Sequence, residues 1–236
     1  AMTVDEALYL IFGFSFRIYF DFYAYSIMAI GMGLLLGIEL PVNFRRPYEA
    51  LNPRDFWQRW HISLSTWIRD YLYLPFGGNQ AYVRNIIVVF ALCGLWHGAG
   101  WNFVFWGLYH AVLLIGYRAA SRHWDALPTL LQRMLLFILV SIGWLTFMFE
   151  IDGVYSAIRS LVGMSSASGA SVIGWYAWAI LLASAVICWA WNIERMADAI
   201  AVRSQWYRLA GGALGSVFIA LLLLSSQSTS FIYFRF

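Results

Sequence analysis

Between Arg84 and Arg118 the chain reads Asn85-Ile86-Ile87-Val88-Val89-Phe90-Ala91-Leu92-Cys93-Gly94-Leu95-Trp96-His97-Gly98-Ala99-Gly100-Trp101-Asn102-Phe103-Val104-Phe105-Trp106-Gly107-Leu108-Tyr109-His110-Ala111-Val112-Leu113-Leu114-Ile115-Gly116-Tyr117, 33 residues without a charge. As one straight helix this run would extend about 50 Å, against a hydrocarbon core of about 30 Å. Gly98-Ala99-Gly100 lies inside it and offers a break. The stretch 85–117 is therefore predicted to be a broken pair of membrane helices meeting near His97. Such breaks line cavities in membrane proteins.

Composition supports the same solvent. Hydrophobic residues make up 62% of the 236 positions and charged residues 11%. A soluble domain carries about a quarter charged residues, so polar groups cannot cover this chain and lipid must do so. The net charge of +3 is small and scattered, which argues against a nucleic-acid partner. Cys93 and Cys188 both sit in apolar runs and read as inert membrane residues. No zinc-type Cys/His cluster and no Gly-rich phosphate loop is present. The opening Ala1-Met2-Thr3-Val4-Asp5-Glu6 lacks the basic region and cleavage site of a signal peptide and reads as a cut into a longer protein.

Further spans are predicted on either side. Ala7 to Phe20 and Phe22 to Ile38 read as two joined helices, and Leu130 to Phe149, Val172 to Ile193 and Leu209 to Leu224 as three more. The fold expected is all-α: a polytopic transmembrane bundle of about six or seven membrane helices, forming one membrane domain over 1–236. Stretches 118–133 and 194–208 are read as loops with three arginines each, against one in 150–171. The positive-inside rule places the first two in the cytoplasm.

One segment is too polar to span. From Asn52 to Leu74 the chain opens with an N-capping Asn, Pro53 at the first helical position and Asp55 at the positive end of the dipole. Trp57, Trp60, His61, Leu64, Trp67, Ile68 and Tyr71 recur at three- and four-residue steps, so they are predicted to share one face. This 52–74 segment is expected as an amphipathic helix, interfacial or re-entrant. Gly77 and Gly78 end it in a turn.

Two histidines stand out as candidates. An ionisable group in the middle of an apolar run is costly and is usually functional, which singles out His97. A desolvated imidazole prefers its neutral form, which suits a general base. Gly98 and Gly100 remove side chains where a thin acyl or thioester arm would pass, and Trp96, Trp101 and Asn102 could wall that passage. His61 falls on the aromatic side of the amphipathic helix beside Trp57 and Trp60. The same spacing also suits a structural histidine packed among tryptophans. His110 reads as a helix-packing residue and His123 as a solvated one. Arg17 and Asp21, one turn apart, read as an intrahelical ion pair.

The stretches Asp55-Phe56-Trp57-Gln58-Arg59-Trp60-His61-Ile62-Ser63-Leu64-Ser65-Thr66-Trp67-Ile68-Arg69-Asp70-Tyr71-Leu72-Tyr73 and Gly94-Leu95-Trp96-His97-Gly98-Ala99-Gly100-Trp101 together resemble the membrane-bound O-acyltransferase family. The continuation Leu74-Pro75-Phe76-Gly77-Gly78-Asn79 is similar to its alginate O-acetylation branch and departs from the teichoic-acid D-alanylation branch. The ending Phe231-Ile232-Tyr233-Phe234-Arg235-Phe236 resembles the family's C-terminus, so the likeness covers the C-terminal half of longer members. Tyr23, Ala24 and Ile27 depart from the Ser, Gly and Asp more usual in that branch.

The resemblance implies a catalytic role for His97 and a required second histidine at His61. It implies a helical ring around a funnel in the bacterial inner membrane, where a cytoplasmic acyl thioester meets an acceptor from the other side. Acetyl-CoA is the simplest donor. Implied partners are periplasmic acetyltransferases and the polysaccharide synthesis machinery, beside membrane lipid. Two other classes stay open from the residues alone. His97 and His110, thirteen apart, have the spacing of axial ligands for haems at two depths. A transporter for lipid-linked sugars is the third reading.

Overall fold

The computed structural model describes residues 2–162 and 173–191. Every regular element among the described residues is helical, as the periodicity and composition imply. Helix α1, Val4–Leu35, opens on a capping box in which Thr3 and Glu6 each bond the other's backbone N–H. Its 32 residues make about 48 Å of helix, long enough to cross a bilayer with a tilt. The two helices predicted over 7–38 are thus one. Asp21 forces no break because Arg17, one turn earlier, answers it at 3.5 Å. The helix stops at Gly37, where a φ of +76° suits glycine and Ile38 N–H turns back to the Gly33 carbonyl at 2.8 Å.

An extended stretch then runs back to a short 3₁₀ turn, Pro47–Glu49. The predicted amphipathic segment follows, but not as one helix. Helix α2, Pro53–Arg59, is capped by Asn52. Trp60 is extended, His61 is left-handed, and α3, Ile62–Ile68, starts afresh. A wide turn, Arg69–Tyr73, closes the segment. The break rotates the two halves, so the single aromatic face expected from spacing does not exist. Trp60 is buried in the core, whereas Trp67 and Tyr71 are exposed and pack against each other.

Helices α4, Tyr82–His97, and α5, Trp101–Asp125, form the most extensive helix pair in the structure. Asn85, fully buried at the foot of α4, donates to the carbonyls of Phe76 and Gly78 and fixes the preceding turn. Helix α5 runs through part of the predicted 118–133 loop, and the bend that follows it is short. Gln132 there donates to the carbonyls of Asp125 and Leu127. Helices α6, Thr129–Gly143, and α7, Leu145–Met148, complete a third span.

The stretch predicted as a loop over 150–171 begins with a helix, α8, Ile151–Leu161. Its inner side buries Ala157 and Ser160, while Ile151, Tyr155 and Ile158 face outward. Apolar residues spaced three and four apart on an outward face are the mark of a helix lying at a membrane surface. Helix α9, Trp175–Val186, continues into a wide turn, Ile187–Trp191. The predicted span at 209–224, the arginine-bearing loop at 194–208 and the aromatic ending lie outside the described residues.

Among the described residues, three helical stretches are long and apolar enough to cross a membrane: α1, α5 and the α6–α7 run. Leu95, Val112, Leu130, Ile180 and Leu182 all point outward, a surface suited to hydrocarbon rather than water. The centre is aromatic. Phe16, Tyr19, Phe22, Phe44, Tyr48, Phe56, Trp60, Trp106, Phe137 and Trp144 form one buried cluster. Cys93 and Cys188 lie in it, and neither is in a disulfide.

Candidate active site

His97 is the last residue of α4 and Gly98 caps it. The backbone at Gly98 is extended, which any residue adopts, so the need for glycine is steric. A Cβ there would overlap the ring of Phe103. The glycine therefore admits Phe103 rather than opening a passage as its sequence position implies. Gly100 serves as the N-cap of α5, and a Cβ on it would meet the Asn102 side-chain oxygen. Asn102 itself donates to the Thr146 carbonyl at 3.0 Å and ties the start of α5 to α7. Trp101 is 71% exposed and makes no ring contact with either histidine among the described residues.

The imidazole of His97 is 6% exposed and sits in an aromatic socket. Ring centroids of Trp96, Trp106 and Phe147 lie 4.9, 5.1 and 5.0 Å away, all edge-to-face. Among the described residues its nitrogens take no hydrogen bond, and they are not among the sealed polar atoms, as His110 Nε2 is.

His61 reaches the same place from another direction. It holds φ +45° and ψ +56°, a conformation that costs a non-glycine residue free energy and is commonly kept for function. Two backbone bonds enforce it: Arg45 N–H to the Arg59 carbonyl at 3.0 Å, and Ile62 N–H to the Asn43 carbonyl at 2.9 Å. They clip the extended stretch before Pro47 onto both sides of the break. The ring then stands edge-on to Phe22 at 4.7 Å and meets Trp96, also edge-to-face, at 6.5 Å between ring centres. Trp96, 63% exposed, thus touches both imidazoles, and the two are close enough to interact electrostatically.

Of the other residues singled out, Trp57 packs against Trp106 and His110, and Trp60 against Trp144 and Phe44. Trp57 also lines the cavity beside the site, whereas Trp60 lies in the buried core. His110 is buried among Phe56, Trp57, Trp106 and Trp144 on α5, the packing role its position implied. The break separates it from His97, and the Trp106 ring contacts both, so the thirteen-residue spacing does not stack the two on one helix. Sequence spacing missed Asn43, Phe22, Trp106 and Phe147. Only Trp106, one turn before His110, had a positional cue.

A cavity of about 370 Å³ opens beside the site between α2, α3, α4 and α5. Arg54, Gln58, Thr66 and Arg69 give it polar lining, and Val89, Phe90, Cys93 and Leu114 give it an apolar one. Its α4 wall ends at Cys93, one turn short of His97, and neither histidine lines it. Arg69 pairs with Asp70 at 2.7 Å in full exposure, and this hydrogen bond holds the carboxyl below its usual range. The arginines lie at the end of the hairpin where Arg118 stacks on Tyr82, 4.0 Å from its ring centre.

Residues 7–157 match the model of the membrane-bound O-acyltransferase family. The chain is 44% identical over 167 residues to a peptidoglycan O-acetyltransferase of Helicobacter pylori, covering 67% of this chain and 31% of the relative. It is 44% identical over 156 residues to a probable alginate O-acetylase of Azotobacter vinelandii, covering 63% and 31%. A teichoic acid D-alanyltransferase of Bacillus subtilis is 40% identical over 117 residues, covering 45% and 30%. The matched region spans about a third of the length of each of these relatives.

Proposed function

Since the chain belongs to the membrane-bound O-acyltransferase family, we propose that it moves an acetyl group from a cytoplasmic thioester, acetyl-CoA being the simplest, toward the hydroxyl of an envelope polysaccharide. The observation that carries this reading is the single indole of Trp96 packed against both His61 and His97. Two imidazoles 36 positions apart in the sequence are brought to one wall at the mouth of a helix break. The names of the relatives point to glycan acceptors, alginate in one case and peptidoglycan in another.

His97 is the general base. The acceptor oxygen adds to the thioester carbonyl carbon while its proton passes to an unpartnered nitrogen of His97. Collapse of the tetrahedral adduct breaks the carbon–sulfur bond, and the leaving thiolate takes that proton back. His97 ends neutral, ready for another round. The aromatic socket excludes water, which would otherwise hydrolyse the thioester.

The cavity is the donor's place in this scheme. Arg54 and Arg69 suit anionic phosphates, and the apolar walls of α4 suit a thin pantetheine arm running toward His97. The arginine-bearing end is the cytoplasmic one by the positive-inside rule, which orients the acceptor side toward the periplasm. The setting is the bacterial inner membrane, with periplasmic acetyltransferases as the onward partners. The test is polysaccharide acetylation in cells carrying His97→Gln at normal protein level. Loss of acetyl ester supports the reading, and an unchanged ester content overturns it.

A further inference from the structure

Asn43 appears in no motif, yet its side chain meets His61 across the helix break. Its Oδ1 accepts the backbone N–H of Ser63 at 3.2 Å and the Ser63 hydroxyl at 2.8 Å, and it faces His61 Nδ1 at 3.2 Å. Its Nδ2 donates to Ser26 Oγ on α1 at 3.3 Å. A backbone N–H can only donate, so the atom beside Ser63 must be the amide oxygen. The reverse orientation would set two donors against each other. The Ser63 hydroxyl also lies 3.5 Å from Nδ1, but it is directed to Asn43 Oδ1 at the shorter 2.8 Å, so the ring nitrogen that meets this oxygen is the one that carries the proton.

We propose that Asn43 is a positioning residue that fixes His61 as its Nδ1–H tautomer and leaves the Nε2 lone pair free. This deepens the acyltransfer reading above and rests on it for its catalytic meaning. It also changes the role open to His61. An imidazole protonated on Nδ1 alone has no proton on Nε2 to give an oxyanion. It accepts there, so His61 receives a hydrogen bond from a second hydroxyl of the polysaccharide acceptor and orients the sugar, while His97 removes the proton of the attacking hydroxyl. The logic is that of a carboxylate or carbonyl partner setting the tautomer of a catalytic histidine. Here a neutral amide does it, which sets the tautomer without adding charge beside a group already coupled to His97.

The test begins with ¹⁵N-histidine spectra of the intact detergent-solubilised protein, with the His61 signals assigned by their loss in His61→Gln. Wild type is expected to show a protonated Nδ1 and a bare Nε2, and Asn43→Ala to show a mixture or the opposite tautomer. A wild-type His61 protonated on Nε2, or a spectrum unmoved by Asn43→Ala, overturns the proposal whatever the activity. Acetylation by Asn43→Ala is expected to fall at least about tenfold. Asn43→Asp, which keeps an acceptor and guards against a folding artefact, is expected to restore turnover with the acidic limb of its pH profile moved upward by about one unit. If Asn43→Ala switches the tautomer but acetylates normally while His97→Gln is inactive, the positioning role falls and the acyltransfer reading stands. If both variants acetylate normally, the acyltransfer reading falls with it.

Discussion

Gly94 on α4 and Phe103 on α5 meet backbone to backbone, so that a methyl group on residue 94 would overlap the Phe103 carbonyl oxygen. Gly107 repeats the arrangement from the other helix, with the Phe90 carbonyl in the place of its missing side chain. Two glycines, one per helix, let the hairpin close until its main chains touch. Small residues do this wherever membrane helices pack tightly. The turn that carries His97 is held at the end of this contact.

Gly94→Ala and Gly107→Ala are therefore expected to destabilise the protein by about 1–3 kcal/mol, the range for overpacking against atoms that cannot step aside. Gly116→Ala, also on α5, provides the contrast. A Cβ there meets nothing within 4 Å, and replacing a helical glycine by alanine favours the helix by about 1 kcal/mol. Thermal unfolding of the three variants in detergent, followed by tryptophan fluorescence, should separate them by sign. Equal melting temperatures for Gly94→Ala and Gly116→Ala would contradict the close packing.

The two buried histidines on either side of Trp106 should separate function from stability. His97→Gln keeps most of the side-chain volume and removes the proposed base, so acetylation is expected to fall about 10²–10⁴-fold with the protein still folded. His110→Ala opens a cavity among Phe56, Trp57, Trp106 and Trp144 and is expected to cost about 2–4 kcal/mol of stability. Acetylation per folded molecule should remain within a few-fold of wild type. A reversal of the two phenotypes would move the catalytic assignment to His110.

The uncharged run between Arg84 and Arg118 was enough to place the helix break near His97, because length against bilayer thickness is a hard constraint. The Asn52 cap and the Arg17–Asp21 pair were legible for a different reason: both are local. The break at Trp60–His61 was not. Helical spacing continues unbroken through Trp57, Trp60, His61 and Leu64, and nothing nearby competes with it. What ends the helix is a partner from elsewhere, the clip formed by Asn43 and Arg45. Asn43 is eighteen residues from the histidine it meets, in the short stretch between Pro41 and Pro47. Tertiary hydrogen bonds overrode local propensity there, and the aromatic face drawn through the break was wrong as a consequence.

Arg54 and Arg69 line the cavity without touching either histidine, so their removal should weaken donor binding more than chemistry. The double variant Arg54→Ala with Arg69→Ala is expected to raise KM for the thioester about tenfold or more at low salt and to change kcat little. The loss of affinity should shrink as ionic strength rises, since exposed charges are screened. A fall in kcat at unchanged KM would show that these arginines do not meet the donor.

His61 itself allows the cost of its backbone to be measured apart from its chemistry. At φ +45° a residue with a Cβ is strained by about 1–2 kcal/mol, and glycine is not. His61→Gly and His61→Ala delete the same imidazole and the same contact with Phe22. Both are expected to lose acetylation, yet His61→Gly should melt higher than His61→Ala by an amount corresponding to about 1 kcal/mol. If the alanine variant were the more stable, the left-handed turn would not be the conformation that presents the ring. If both variants stayed active, the strain held at this position would serve packing alone. The combination of lost turnover with recovered stability in the glycine variant is what a strained catalytic turn requires, because only there do the side chain and the backbone pull in opposite directions.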